Sequence, residues 1–157
     1  MKVKADNGFT LLELVIVIVI IAVLGSLASS NFVKYRANTN LKEAARKISG
    51  DIQLCKQRAV AENKSYRIAI DTNNNQYTVQ KEISPSVWTN VCPSIRVCDD
   101  DTIKIIGHPT YGSNRILFYP RGTTNAGSLK IQHGQVLSEA RIVTSLMGRV
   151  RIEYALK

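Results

Sequence analysis

A single carboxylate inside an apolar run is the first feature of this chain that calls for a chemical explanation. From Phe9 to Ala28 the sequence runs for 20 residues interrupted only by Thr10, Glu13, Gly25 and Ser26. As a helix rising ~1.5 Å per residue, this stretch covers roughly 30 Å, the hydrocarbon thickness of a bilayer. A lone Glu carried to the membrane centre costs up to ~3 kcal/mol on insertion scales, so Glu13 needs a positive partner. Cleavage after Gly8 would create one. The new α-amine of Phe9 would lie one helical turn from Glu13 in the same subunit, or beside Glu13 of a neighbour.

Arg149 and Arg151 form a second constellation. If Arg149–Tyr154 is a strand, Val150, Ile152 and Tyr154 face the core and the two arginines share the other side, about 6.7 Å apart. Each guanidinium could take a phosphate, with Arg141, Arg121 or Lys157 adding to the field. The net charge of +9 is unevenly placed. Residues 34–64 carry eight Lys/Arg against three acids and residues 111–157 seven against two, while residues 1–33 balance and residues 65–110 carry four against five. A uniformly basic soluble surface would not look like this. The plain alternative for Arg149 and Arg151 is an ordinary solvated strand face.

Other reactive residue types give weaker signals. His108 and His133 are isolated, no Ser or Asp sits in a nucleophile elbow, and no phosphate-binding glycine loop occurs, so no enzyme, cofactor or metal is expected. Asp99-Asp100-Asp101 could ligate calcium through hard oxygens, although three acids in a loop more often form a solvated turn. Trp88, Phe118 and the six tyrosines read as core or sheet-face residues.

The elements that must position these groups follow from hydrophobic period. Leu41, Ala45, Ile48, Ile52, Cys55 and Ala59 recur at steps of four and three, giving one apolar stripe on a helix from Asn31 to Asn63. Ser49-Gly50 softens this helix and Glu62-Asn63-Lys64 ends it. Beyond Asn63 the period changes to two. Tyr66, Ile68 and Ile70 alternate, Asp71–Asn75 turns, and Tyr77–Val79 begins a return strand. Further strands are expected at Thr102–Ile106, Arg115–Tyr119, Ser128–His133, Arg141–Ser145 and Arg149–Tyr154. A long helix followed by seven short strands implies an α+β domain with antiparallel sheets packed on the helix. Its size suits one core.

The basic leader with Lys2 and Lys4, then Gly8, then Phe9-Thr10-Leu11-Leu12-Glu13-Leu14 and an aliphatic helix resemble a type IV prepilin signal. The resemblance implies that a prepilin peptidase cuts after Gly8 and methylates Phe9. It implies that residues 1–8 are a leader and that residues 9–30 serve as membrane anchor and filament-core helix. Residues 31–157 would then form a pilin-like globular domain outside the inner membrane. An ordinary secretory signal cut near Ser26-Leu27-Ala28 competes with this, but Glu13 would be a poor residue at the front of its apolar region.

Farther along, Leu117-Phe118-Tyr119-Pro120-Arg121-Gly122-Thr123, Gly127-Ser128-Leu129 and Gly148-Arg149-Val150-Arg151 resemble the GspH/FimT branch of minor pilins and pseudopilins. Ser30 stands where many major pilins carry a helix-breaking proline. The implied function is structural: a subunit at or near the tip of a type II secretion pseudopilus or a type IV pilus, partnered by other pilins. The alternative is a FimT-like minor pilin that binds extracellular duplex DNA for uptake in natural transformation, through Arg149, Arg151 and Arg141.

Outside the cytoplasm disulfides persist, which favours a Cys92–Cys98 bond around Pro93–Val97. Closing that loop could stabilise the domain by roughly 2 kcal/mol in the chain-entropy model. A pairing with Cys55 is the alternative, although Cys55 on the apolar stripe reads best as a small buried thiol.

Overall fold

The structure is a computed structural model describing residues 10–98 and 101–157, and for residues 26–31 the backbone alone. Gly8, Phe9, Lys2, Lys4, Asp99 and Asp100 lie outside the described residues. Two compact units divide at Arg36 and Ala37.

Helix α1, Leu11–Ala61, runs through 51 residues. It starts at Thr10, whose Oγ1 accepts from the Glu13 N–H at 3.3 Å while the Thr10 carbonyl accepts the same N–H at 3.1 Å. Thr10 and Glu13 thus hold the spacing of a capping box, and the acid sits in the first turn, where the helix dipole favours it. In the first unit the side chains of Leu11 through Leu24 are exposed all round. Among the described residues no helix is long and apolar enough to cross a membrane. The run of described apolar side chains that begins at Leu11 reaches Leu24, about 21 Å of helix, whereas the expected span reaches from Phe9 to Ala28.

The second unit holds the core. All six expected stripe residues are buried, joined by Ala37 and Ala44. The helix continues through Ser49-Gly50 without a break. It ends as anticipated: Asn63 adopts φ 50°, and Lys64 N–H reaches back to the Ala59 carbonyl at 3.2 Å. This is the left-handed C-cap for which asparagine is the usual substitute for glycine.

Among the described residues nine strands form two antiparallel sheets. The first has the order β3 (Val87–Asn90), β2 (Gln76–Ser84), β1 (Tyr66–Asp71), β6 (Arg115–Phe118), and the two-residue β4 (Ile95–Arg96) also pairs with β2. The second has the order β5 (Ile103–Ile106), β7 (Gly127–His133), β8 (Glu139–Thr144), β9 (Val150–Ala155). Tyr66, Ile68, Tyr77, Val79, Ile116 and Phe118 from one sheet and Ile103, Leu129, Ile131 and Ile142 from the other close one core with the helix stripe. Seven strands appear where periodicity placed them, within about two residues at each end except for the longer β2. β3 and β4 went unread, because Val87–Asn90 has no buried alternate face and β4 is too short to show a period.

Two asparagines tie the sheets together and close their edges. Asn75, buried at φ 54°, donates from Nδ2 to the Ile103 carbonyl at 2.7 Å and accepts the Ile105 N–H at Oδ1 at 2.9 Å. Its side chain behaves as a piece of strand laid against the outer edge of β5. Asn125 does the same for β6, accepting the Leu117 N–H and donating to the Arg115 carbonyl, both at 2.7 Å. A glycine is required at position 127: a Cβ there would lie 2.4 Å from the Tyr111 ring, whose hydroxyl accepts a hydrogen bond from the Thr144 hydroxyl at 3.1 Å.

Candidate functional site

The last hairpin carries the expected basic residues. Arg149 precedes β9, Arg151 lies on it and Arg141 on β8, all exposed. Register places Arg141 between Lys130 on β7 and Glu153 on β9, and Arg151 opposite Val143. Lys104 on β5 pairs with Gln132. Paired residues share a face, so Lys104, Lys130, Arg141 and Arg151 occupy the outer face of the second sheet, with Glu139 and Glu153 interspersed. Val150 and Ile152 pack against the core as expected, but Tyr154 does not. It is 38% exposed, because β9 is an edge strand whose end runs past the core.

The turn that enters β9 is held by a residue the sequence did not single out. Lys56, on α1, donates from Nζ to the Met147 carbonyl at 3.0 Å and to the Gly148 carbonyl at 3.4 Å. Gly148 has φ +67°, and a Cβ there would sit 2.8 Å from the Lys56 stem. The glycine of Gly148-Arg149-Val150-Arg151 is therefore favoured by its backbone angle, and a side chain there would also have to push the end of Lys56 aside. Beside this contact lies a groove of about 610 Å³ lined by Gln53, Lys56, Gln57, Val60, Ala61, Gly148, Arg149 and Val150. Only the lysine's place in the helical charge run was visible in the sequence, since its partners are 91 and 92 residues away.

The expected Cys92–Cys98 bond is absent: Cys55, Cys92 and Cys98 are free thiols. The reason lies in β4. Ile95 and Arg96 pair with Tyr77 and Gln76, and Val97 N–H binds the Asn75 carbonyl at 3.2 Å. The segment between the cysteines is thus held along β2 by its own backbone pairing. Cys98 Sγ instead sits 3.6 Å from Thr102 Oγ1. Cys55 is buried as anticipated, and burial first, with nearby Asp51 second, pushes its thiol up to about 12. Asp51, half-buried, also accepts a 2.5 Å hydrogen bond from Tyr77, which links helix to sheet, and Tyr77's hydroxyl is pushed upward, mainly by burial.

The remaining candidates have local roles. His133 is buried, and its Nδ1 accepts the Gln135 N–H at 3.3 Å. Trp88 lies on a sheet face with the Arg67 guanidinium 4.2 Å above its ring, while Phe118 is core. Among the described residues no group of His, Cys, Asp or Glu could hold a metal.

A helix whose apolar first part is uncovered and whose second part is wrapped by antiparallel sheets defines a pilin-like protein. Residues 44–148 match the family described as type II transport protein GspH, and residues 3–29 match the prokaryotic N-terminal methylation motif. The chain belongs to the GspH family. It is 29% identical over 105 residues to a fimbrial protein of Pseudomonas aeruginosa, 66% of this chain and 68% of that one. The minor pseudopilin EpsH of the type 2 secretion system of Vibrio cholerae superposes with TM-score 0.60 at 13% identity, covering 73% of this chain and 97% of its own. The type IV minor pilin FimU of Pseudomonas aeruginosa gives TM-score 0.60 at 15% identity, covering 76% and 92%. The pilin-like α+β fold expected from the sequence is the fold of these proteins.

Proposed function

We propose that this chain is a minor pilin or pseudopilin that a prepilin peptidase cuts after Gly8 and methylates at Phe9. It is then held in the inner membrane by residues 9–30 and assembled with other pilin subunits at or near a filament tip. The observation that carries this reading is the apolar surface from Leu11 to Leu24, exposed on every side of α1 and broken by one acid, Glu13. A helix apolar all round is stable only in lipid or among other helices. Both environments leave Glu13 in need of a cation, and the Phe9 amine of a neighbouring subunit supplies one.

The test has two arms. Mass analysis of the membrane-extracted protein should find a methylated Phe9 terminus, and a terminus near Ser29 would end the filament reading. Glu13→Ala should leave cleavage largely intact and reduce incorporation beside wild-type partners, whereas undiminished incorporation would remove the charge-pair role.

A second reading is favoured by the basic outer face of Lys104, Lys130, Arg141 and Arg151, with Arg149 at its margin. In it, this face binds duplex DNA without sequence preference, through phosphates. Two to four contacts imply a log–log salt slope of roughly −2 to −4. A mobility shift that ignores the Arg149→Gln/Arg151→Gln double substitution would return the face to a solvated role.

A further inference from the structure

The outermost strands are not treated alike. β5 and β6 have their outer edges occupied by Asn75 and Asn125, and β3 is only four residues long. β9 is six residues long and pairs on one side only. Ser145 N–H binds the Arg149 carbonyl at 3.0 Å, which makes 145 and 149 a hydrogen-bonded pair. By antiparallel alternation Arg151, Glu153 and Ala155 also turn their backbone groups toward β8, while those of Val150, Ile152 and Tyr154 point outward. Among the described residues these outward groups have no hydrogen-bond partner.

The outward edge of β9 meets a groove against α1 at its first residue, Val150, where Gly148, Arg149 and Val150 form one wall and Gln53, Lys56, Gln57, Val60 and Ala61 the other. The groove has an apolar floor at Val60, Ala61 and Val150 and a basic rim at Lys56 and Arg149. From Ser145 to Lys157 the hairpin carries Arg149, Arg151 and Lys157 against the single acid Glu153. A strand laid on this edge would gain main-chain hydrogen bonds from Val150, Ile152 and Tyr154, bury alternate side chains in the groove, and meet positive charge with its other face.

We propose that β9 is an acceptor edge for an extended, acidic segment of another protein, which adds to the second sheet as a fifth strand with apolar side chains in the Val60–Val150 groove. A second copy of the chain is the less complementary occupant. Pairing β9 with itself about Ile152 would match Arg151 to Glu153 but leave Arg149, Lys157 and Lys56 without acids. The proposal goes beyond the filament reading and does not depend on it.

The experiment uses the detergent-solubilised full chain and a fluorescent peptide of about seven residues alternating glutamate and valine, long enough to span the strand. A lysine–valine peptide of equal length is the control. Anisotropy should show saturable binding of the acidic peptide and binding about tenfold weaker or more for the basic one. Tyr154→Pro, which removes one outward N–H, should weaken binding about fivefold or more, while Tyr154→Ala, which keeps that N–H, should not. Arg149→Gln/Arg151→Gln should weaken it by a similar factor and flatten its salt dependence. Several results would overturn the proposal. These are no binding of either peptide, equal binding of both, indifference to Tyr154→Pro, a dimer that forms without peptide and excludes it, or binding of duplex DNA alone.

Discussion

The edges of the two sheets make opposite use of the same opportunity. At β5 and β6 an asparagine side chain supplies one donor and one acceptor at backbone spacing, so the strand meets a surrogate neighbour from its own chain. At β9 no such surrogate occurs among the described residues, and the strand is longer, with Arg149 at its head and Arg151 within it. An open edge is a hazard for association that natural sheets usually cover, shorten or charge. Two of the edges are covered by a side chain and the six-residue β9 is not, and the difference is measurable.

The largest effect should come from the surrogates. Asn75→Ala leaves the Ile103 carbonyl and the Ile105 N–H buried without partners and puts alanine at a positive φ, for a loss of about 3 kcal/mol. Asn125→Ala exposes the β6 edge nearer to solvent and should cost only about 1–2 kcal/mol, but it should add concentration-dependent association. Denaturant titration with light scattering measures both. Equal losses at the two sites would erase the distinction between a junction of two sheets and a covered rim.

The open edge should respond weakly. Tyr154→Pro removes an N–H that points away from β8, so stability should change by less than about 1 kcal/mol. Arg151→Pro, three residues closer to the hairpin turn and in the hydrogen-bonded set, removes a ladder bond and should cost about 3 kcal/mol. A comparable loss from both would mean that the alternation along β9 has been assigned backwards.

The smallest effect is one of pH. Asp71 heads the turn that presents Asn75. Its carboxylate is held below the usual range first by the Asn74 amide at 2.7 Å, then by the Asn74 and Asn73 backbone N–H groups. A lowered carboxyl contributes stability that is present above its unfolded value, near about 4, and lost as pH falls through the folded value. The advantage of the wild type over Asp71→Asn should therefore be visible at neutral pH and fade in acid. A difference unchanged down to the acid limit would mean that the turn's bonds do not depend on the charge.

Much of this fold was legible because hydrophobic period survives in a single sequence. The stripe from Leu41 to Ala59, the cap at Asn63 and the alternation in Tyr66, Ile68 and Ile70 were all visible, and so was the exposure of Arg149 and Arg151. What escaped were side chains acting on distant backbone. Asn75 reads as one more turn residue in a run of three asparagines, Asn125 as loop, and Lys56 as solvated charge. None carries a local signal that it will bind a carbonyl 28, 10 or 91 residues away. The cysteines stand as free thiols, and the two-residue β4 between Cys92 and Cys98 is too short to show a period in the sequence. Tyr154 was assigned to the core by alternation alone, which does not say where the core ends.

The asparagine at the sheet junction also sets how the protein ages. Asparagine is thermolabile and loses its amide nitrogen by slow hydrolysis. At position 75 that reaction would replace a donor with a carboxylate oxygen facing the Ile103 carbonyl, two acceptors where one pair is needed. The folded protein slows the damage by burying the amide and holding both of its ends. Each excursion that frees β5 from Asn75 lifts that protection, so prolonged warming should convert reversible opening into a permanent covalent scar at this residue before the domain as a whole has unfolded.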